Sequence, residues 1–132
     1  MIFDEILIRV RYGETDQMGV VYHGNYPLYL EMGRIEWLRK LGISYKKMEE
    51  EGVMLPVISI SLNFKRSACY DDVIKVRTQL KKEPLVKIEF NYEILNDKGE
   101  ILVLANTVLA FIDMKTKKPI PCPKYILDKI RN

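Results

Sequence analysis

A short acidic segment near the start of the chain carries the residues whose types suit chemistry. Residues 12 to 26 read YGETDQMGVVYHGNY, with Asp16 followed seven positions later by His23, the only histidine of the chain. A carboxylate in such a loop can act as a nucleophile or as the base that activates a water molecule. The serines of the chain have no GxSxG elbow around them, so no other nucleophile with its base is indicated.

The same segment ends where a long helix is predicted to begin. This helix spans residues 26 to 41, with Pro27 in its first turn. Backbone N–H groups at a helix start are uncommitted and partly positive. The N–H groups of residues 23 to 25 can therefore hold an anion, including the oxyanion of an attacked carbonyl group.

Plainer roles stay open when the residues are taken alone. Asp16 suits the capping of a turn as well as it suits catalysis. A single histidine such as His23 is more often a hydrogen-bonded structural residue than a catalytic one. Tyr22 and Tyr26 can be core aromatics that take no part in a reaction.

Periodicity predicts the elements that have to position this loop. Apolar and polar residues alternate over 5–12, 58–65, 74–81 and 86–94, which indicates strands with one buried face. Tyr12 is the last inward-facing residue of the first of these. A hairpin turn at 96–99 leads to a run over 101–112 that is apolar on both faces, typical of a central strand covered on two sides. Short helical segments are expected at 44–51 and 124–131. The predicted order is one strand, one long helix and four strands in an antiparallel meander.

The long helix is apolar on two sides. One side contains Tyr26, Leu30, Gly33, Trp37 and Leu41, and the other contains Leu28, Met32 and Ile35. A surface helix needs only one apolar stripe, so we expect a sheet to cover one side and a second subunit to cover the other. Gly33 lowers the stability of a helix, and its expected use is close packing against the sheet.

Composition indicates a globular protein with one domain, residues 1–132. The chain is 48% hydrophobic and 30% charged, with a net charge of +3. No clustered basic stripe suggests nucleic-acid binding. The N-terminus does not resemble a signal peptide, and no apolar run is long enough to span a membrane. Cys69 and Cys122 have no metal-binding spacing and are expected to be reduced and buried. We therefore expect a soluble cytoplasmic protein without a metal or another cofactor.

The segment Y-x-E-T-D-x-M-G-V-V-Y-H-x-N-Y, residues 12 to 26, resembles the signature of hot-dog-fold acyl-CoA thioesterases. The chain is most similar to the 4-hydroxybenzoyl-CoA thioesterase type, and within it to the YbgC-like branch associated with the Tol-Pal system. Residues 70 to 72, Tyr-Asp-Asp, and the proline-rich segment before the last helix also fit. The resemblance implies an α+β fold, with a five-stranded antiparallel sheet wrapped around one long central helix. It further implies a homodimer with its sheets joined edge to edge, dimers that pair into a homotetramer, and active sites at the dimer interface.

The resemblance also implies roles for individual residues. Asp16 matches the catalytic carboxylate of the family, and the backbone N–H of His23 matches its oxyanion donor, with the imidazole as an assisting group. The surrounding pocket is expected to contain Tyr22, Gly24, Asn25 and Tyr26. The arginines that bind CoA phosphates in the family have no clear match here. Candidates for that contact are Lys65, Arg66, Lys82 and Lys87.

Two alternatives belong to other functional classes. One is a module that binds acyl-CoA without hydrolysing it, since a shared fold does not imply a shared function. The other is a hot-dog dehydratase, in which His23 would act together with Glu31 or Glu36. Both glutamates are otherwise expected to be solvated carboxylates of the helix.

Overall fold

The computed structural model describes residues 3–131, so residues 1, 2 and 132 of the predicted domain lie outside the described range. The strands are β1 (Phe3–Arg9), β2 (Val53–Met54), β3 (Val57–Phe64), β4 (Val73–Leu80), β5 (Lys87–Leu95), β6 (Ile101–Ala110) and β7 (Ile112–Asp113). The helices are α1 (Tyr26–Lys40), α2 (Tyr45–Glu50) and α3 (Lys124–Arg131), and 3₁₀ turns span Tyr12–Glu14 and His23–Asn25. All the helical and extended segments indicated by periodicity are therefore present, with shifted ends.

Five strands form one antiparallel sheet in the order β1-β4-β5-β6-β3, and β2 pairs with β7 in a small separate ribbon. The predicted meander is correct for β4, β5 and β6 but wrong for β3. That strand pairs with β6, with Ile60 opposite Thr107. The segment after β3 crosses the end of the sheet to reach β4. It is held there by main-chain bonds from Val21 N–H to Ala68 O at 2.8 Å and from Asp71 N–H to Val10 O at 3.0 Å.

The long helix packs on the β1 and β4 part of the sheet. Tyr26, Leu30, Gly33 and Trp37 are buried on this side. A Cβ atom on Gly33 would lie 2.5 Å from Thr78 Oγ1 and 3.0 Å from Val76 Cγ1 of β4. Such distances leave no room for a methyl group without movement of the sheet. The predicted close packing at Gly33 is thereby confirmed.

The apolar face of β3 is only partly covered within one subunit: Leu62 packs against the core, and the Phe64 ring lies 5.5 Å from the Tyr26 ring. Ile58, Ile60 and Phe64 are 51%, 45% and 50% exposed, although alternation predicts a buried face. Ile60 points to the same side of the sheet as its neighbour Thr107, but α1 lies over β1 and β4 instead. The second apolar side of α1 is also open, with Leu28 52% and Met32 41% exposed.

Two smaller expectations are wrong. Tyr12 does not face inward with the first strand, because β1 ends at Arg9 and Tyr12 begins a 3₁₀ turn that leaves it exposed. Cys122 is buried as expected, but Cys69 is exposed on the crossing segment, and both are free thiols. Over residues 3–131, no helix is long and apolar enough to cross a membrane.

Candidate active site

Asp16 lies at the start of a tight turn that the main chain closes. Its N–H donates to the carbonyl oxygen of Val20 at 2.9 Å. The N–H of Gly19 donates to the carbonyl oxygen of Asp16 at 3.0 Å. Gly19 has a φ of +81°, which glycine adopts without steric cost. The backbone at Asp16 is therefore fixed by short-range bonds that the sequence QMG allows.

The two oxygens of the Asp16 carboxylate differ in their contacts. Its Oδ1 accepts a hydrogen bond from the N–H of Met18 at 2.9 Å, as in a turn cap. No other side-chain partner of this half-buried carboxylate is found in residues 3–131. The capping alternative is thus correct for one oxygen, and it leaves the second oxygen available to react.

Glu14 ties the loop together, a role that no sequence pattern indicated. Its carboxylate accepts bonds from the N–H of Arg11 at 2.8 Å, from the Arg11 guanidinium at 2.8 and 2.9 Å, and from the Tyr29 hydroxyl at 2.9 Å. Burial acts to raise the pKa of Glu14, but these hydrogen bonds outweigh it and hold the pKa below its ordinary value. Glu14 therefore remains an anion that anchors the loop to α1.

The main chain of Glu14 joins the loop to the helix start. Its carbonyl oxygen accepts one bond from the Tyr22 N–H and one from Asn25 Nδ2, both at 2.9 Å. Asn25 belongs to the predicted pocket, and the structure assigns it to this positioning bond. The carbonyl oxygen of Glu14 therefore links the segment that carries Asp16 to the segment that carries His23.

The helix begins with a 3₁₀ turn at His23–Asn25, and α1 follows directly. The first bond of this turn runs from the Asn25 N–H to the Tyr22 carbonyl oxygen at 2.9 Å. The N–H groups of His23 and Gly24 precede it, and no acceptor for either is found among residues 3–131, as is usual for the first donors of a helix. A Cβ on Gly24 would lie 2.6 Å from Tyr22 Cε2, so the tyrosine ring occupies the space of a side chain at position 24.

A cavity of about 260 Å³ lies between this helix start and the end of β3. Five predicted site residues line it together with Phe64: Asp16, His23, Tyr26, Lys65 and Arg66. The three other predicted pocket residues, Tyr22, Gly24 and Asn25, are not among the residues that line this cavity. A carboxylate and a helix start on one cavity suit the attack on a carbonyl group whose oxygen becomes negative.

Tyr26 combines the two roles that its type allowed. It is 3% exposed and belongs to the core, yet it also lines the cavity. Its hydroxyl oxygen accepts a bond from the Ala68 N–H at 3.4 Å. Burial raises the pKa of Tyr26, although the bond from Ala68 acts in the opposite direction. The neutral phenol holds the crossing segment against the helix start.

The His23 imidazole packs between two aromatic rings. Its centroid lies 4.5 Å from that of Tyr22 and 6.3 Å from that of Phe64. Within the described part of the chain, no side-chain hydrogen bond orients the imidazole. A general base needs such orientation, so the backbone N–H is the part of His23 that this geometry best suits to catalysis.

The four candidate cations for CoA phosphates fall into two groups. Lys65 and Arg66 line the cavity, and both of their N–H groups donate to Leu102 O, at 2.8 and 3.1 Å. Lys82 and Lys87 lie at the opposite end of the sheet. Lys87 pairs with Ala110, far along β6 from the partner of Phe64, Val103. One subunit therefore brings only two of the four to Asp16.

The family model of the thioesterase-like superfamily matches residues 10–130. The chain is 37% identical over 121 residues to YneP, a putative acyl-CoA thioesterase of Bacillus subtilis, covering 92% of this chain and 88% of that protein. It is 28% identical over 124 residues to the acyl-CoA thioester hydrolase YbgC of Escherichia coli O6:H1, covering 94% and 92%.

A solved structure gives the same result for the fold. A DHNA-CoA thioesterase from Staphylococcus aureus superposes with a TM-score of 0.92 at 40% identity, covering 99% of this chain and 88% of that one. The predicted hot-dog arrangement, a five-stranded antiparallel sheet with one long helix, is confirmed by this similarity and by the observed sheet.

Proposed function

Because the chain belongs to the thioesterase-like superfamily, we propose that it is an acyl-CoA thioester hydrolase in which Asp16 carries the reaction. The enzyme converts an acyl-CoA and water into a free acid and CoA. One observation carries the assignment of the site: Asp16 and His23 line the same cavity at the start of α1. Similarity to acyl-CoA thioesterases over nine tenths of the chain supports the reaction type.

In the proposed mechanism, the thioester carbonyl oxygen binds at the N–H groups of His23 and Gly24. Asp16 then attacks the carbonyl carbon directly, or it removes a proton from a water molecule that attacks. In either route the carbon–sulfur bond breaks and CoA leaves as the thiolate, which takes up a proton. Direct attack leaves a mixed anhydride on Asp16, which a water molecule hydrolyses to release the acid. The negative oxygen is stabilised where the helix start offers uncommitted donors.

We propose that the functional unit is a homodimer in which two β3 strands pair edge to edge. In support, β3 has a neighbour on one side only, and its apolar face is exposed at Ile58, Ile60 and Phe64. An open apolar edge strand is a template for pairing with another chain. A further pairing of two dimers into a tetramer would cover the exposed stripe of α1.

This pairing bears on the binding of CoA. An antiparallel pair related by a two-fold axis brings the Val57 end of one β3 beside the Phe64 end of the other. Lys87 lies at the Val57 end, since Val57 and Lys87 pair with adjacent residues of β6. We propose that Lys65 and Arg66 bind CoA phosphates from one subunit and that Lys82 and Lys87 approach from the second.

The proposed location is the cytoplasm, where free thiols such as exposed Cys69 stay reduced.

The geometry disfavours the dehydratase alternative. His23 lines the cavity of Asp16, whereas Glu31 and Glu36 line other hollows along α1. A binding module without activity is distinguished by experiment.

Release of CoA thiol from a series of acyl-CoA esters tests the function. Asp16→Asn keeps the shape of the side chain and removes its charge, and kcat should fall at least about 100-fold. Asp97→Asn, in the exposed hairpin turn after β5, is the matched control and should retain wild-type turnover. If Asp16→Asn hydrolyses every ester at the wild-type rate, Asp16 is not the reacting group. If the wild type binds the esters without releasing thiol, the protein is a binding module.

A further inference from the structure

A second cavity, of about 330 Å³, lies under the second half of α1 at the Val57 end of the sheet. Its walls are mainly apolar and include Leu38, Leu55, Phe90 and Leu109. Arg34 of α1 also lines it, although this side chain belongs to the buried face of the helix. A mainly apolar hollow with a few polar groups is the usual form of a small-molecule site.

Arg34 has no charge partner in the part of the chain that the structure describes. It is 9% exposed, and its one hydrogen bond to a side chain runs from Nη1 to the Tyr92 hydroxyl at 3.3 Å. That hydroxyl also shares a bond of 2.6 Å with Thr107 Oγ1. Neither the Tyr92 hydroxyl nor the Thr107 hydroxyl carries a negative charge that could pair with Arg34. A buried cation without an anion is strongly unfavourable, so Arg34 lacks, among residues 3–131, the ion-pair partner that would balance its charge.

Glu31 is the carboxylate nearest in sequence that also lines this cavity. Its side chain is exposed, and it also borders an outer groove with Met32 and Glu36. No ion pair between Glu31 and Arg34 is present among residues 3–131. Charge on an exposed group is screened by solvent, and Glu31 therefore leaves the charge of Arg34 uncompensated.

We propose that this cavity binds the far end of the acyl group and that Arg34 pairs with a carboxylate there. The preferred substrates are then CoA thioesters of dicarboxylic acids with an apolar middle section. A guanidinium group matches a carboxylate with two parallel hydrogen bonds, and the apolar walls accept the methylene groups. The inference rests on the proposed function and on the pairing of β3 strands, which sets the Val57 end of one subunit beside the Asp16 cavity of the other.

Matched pairs of thioesters test the chemistry. Each pair has one chain length and differs only at the far end: adipoyl-CoA with hexanoyl-CoA, suberoyl-CoA with octanoyl-CoA, and sebacoyl-CoA with decanoyl-CoA. A charged hydrogen bond at Arg34 should raise kcat/KM for the dicarboxylic member of the best pair at least about tenfold. The ω-hydroxy ester of the same length serves as a third member, because a hydroxyl also accepts hydrogen bonds but is neutral.

Variants of Arg34 assign the preference to this side chain. Arg34→Met should lower kcat/KM for the dicarboxylic member much more than for its partner, and Arg34→Lys should retain part of the preference. Arg39→Met, on the exposed side of the same helix, should leave the ratio unchanged. The wild-type ratio is informative even if Arg34→Met does not fold.

A wild-type ratio near one, a higher rate with the ω-hydroxy ester, or an equal loss for both members in Arg34→Met would each overturn the inference. Hydrolysis with a ratio of one leaves the proposed function intact. The absence of hydrolysis for every ester overturns the proposed function and this inference together.

Discussion

Replacing Gly33 with alanine should destabilise the protein, although alanine is the better helix former. A Cβ at this position would lie 2.5 Å from Thr78 Oγ1 and 3.0 Å from Val76 Cγ1. Forcing a methyl group into a packed core costs about 1–3 kcal/mol, and the gain in helix propensity returns about 1 kcal/mol. The expected net loss in the free energy of unfolding is therefore about 0–2 kcal/mol, and the 2.5 Å contact with Thr78 Oγ1 favours the upper half of that range.

A second substitution tests whether contact with the sheet is what makes Gly33→Ala less stable. Thr78 is 1% exposed, and its hydroxyl has no hydrogen-bond partner within residues 3–131. Thr78→Ala removes the closest atom and sacrifices no hydrogen bond. Gly33→Ala should therefore cost less in the Thr78→Ala background, with a coupling energy of about 1–2 kcal/mol.

Chemical denaturation at fixed protein concentration measures the free energies of unfolding of all four proteins in this cycle. The control is Gly13→Ala, because a Cβ on Gly13 meets nothing within 4 Å. If Gly33→Ala is as stable as the wild type, or if its effect is the same with and without Thr78, the close approach of α1 to β4 is not what requires glycine.

Three further predictions concern the site and the subunit edge. Gly24→Ala should lower kcat at least about tenfold, because the added Cβ displaces the Tyr22 ring and the N–H groups of the helix start. Steady-state assays measure this, with Gly13→Ala as the control. An unchanged kcat in Gly24→Ala would contradict the prediction. Glu14→Gln should make the free energy of unfolding less dependent on pH in the acid range. The folded-state pKa of Glu14 lies below its ordinary 4.5, so the stabilisation by its charged form is present above pH 4.5 and is lost as pH falls through the folded pKa. Denaturation from pH 7 to pH 3 measures this, and parallel curves for the two proteins would argue against it. Ile60→Lys should yield monomers in sedimentation velocity, whereas Leu7→Lys on the opposite edge strand should not; a dimeric Ile60→Lys protein would place the interface elsewhere.

The sequence predicts well those features that depend on neighbours along the chain. The Asp16 loop, the span of α1 and the strands β4 and β5 follow from local spacing, and the use of Gly33 follows from its cost in a helix. Alternation also identifies the apolar face of β3. It does not indicate which strand β3 pairs with or what covers that face, because both depend on a crossing segment and on elements far away in sequence.

Charged side chains in the interior are the features that sequence reasoning missed. Glu14 and Arg34 have the composition of surface residues, and their burial follows from partners that only the fold brings together. Glu14 accepts a hydrogen bond from Tyr29, fifteen residues later in the sequence, and Arg34 of α1 donates one to Tyr92 of β5. The one available signal for Glu14 was its position within the motif of the loop. Arg34 had no signal beyond its place on the buried side of α1.

The bonds from Tyr22 and Asn25 to the Glu14 carbonyl oxygen have a consequence for how the reaction proceeds in time. They hold the two ends of the Asp16 loop at one oxygen, so a swing of its ends away from α1 would require both bonds to break. We therefore expect the loop to keep its position while substrate and water enter the Asp16 cavity. Many enzymes close over their substrate to keep water out. Here water is a reactant, and a loop that stays in place would let water enter without a gating step.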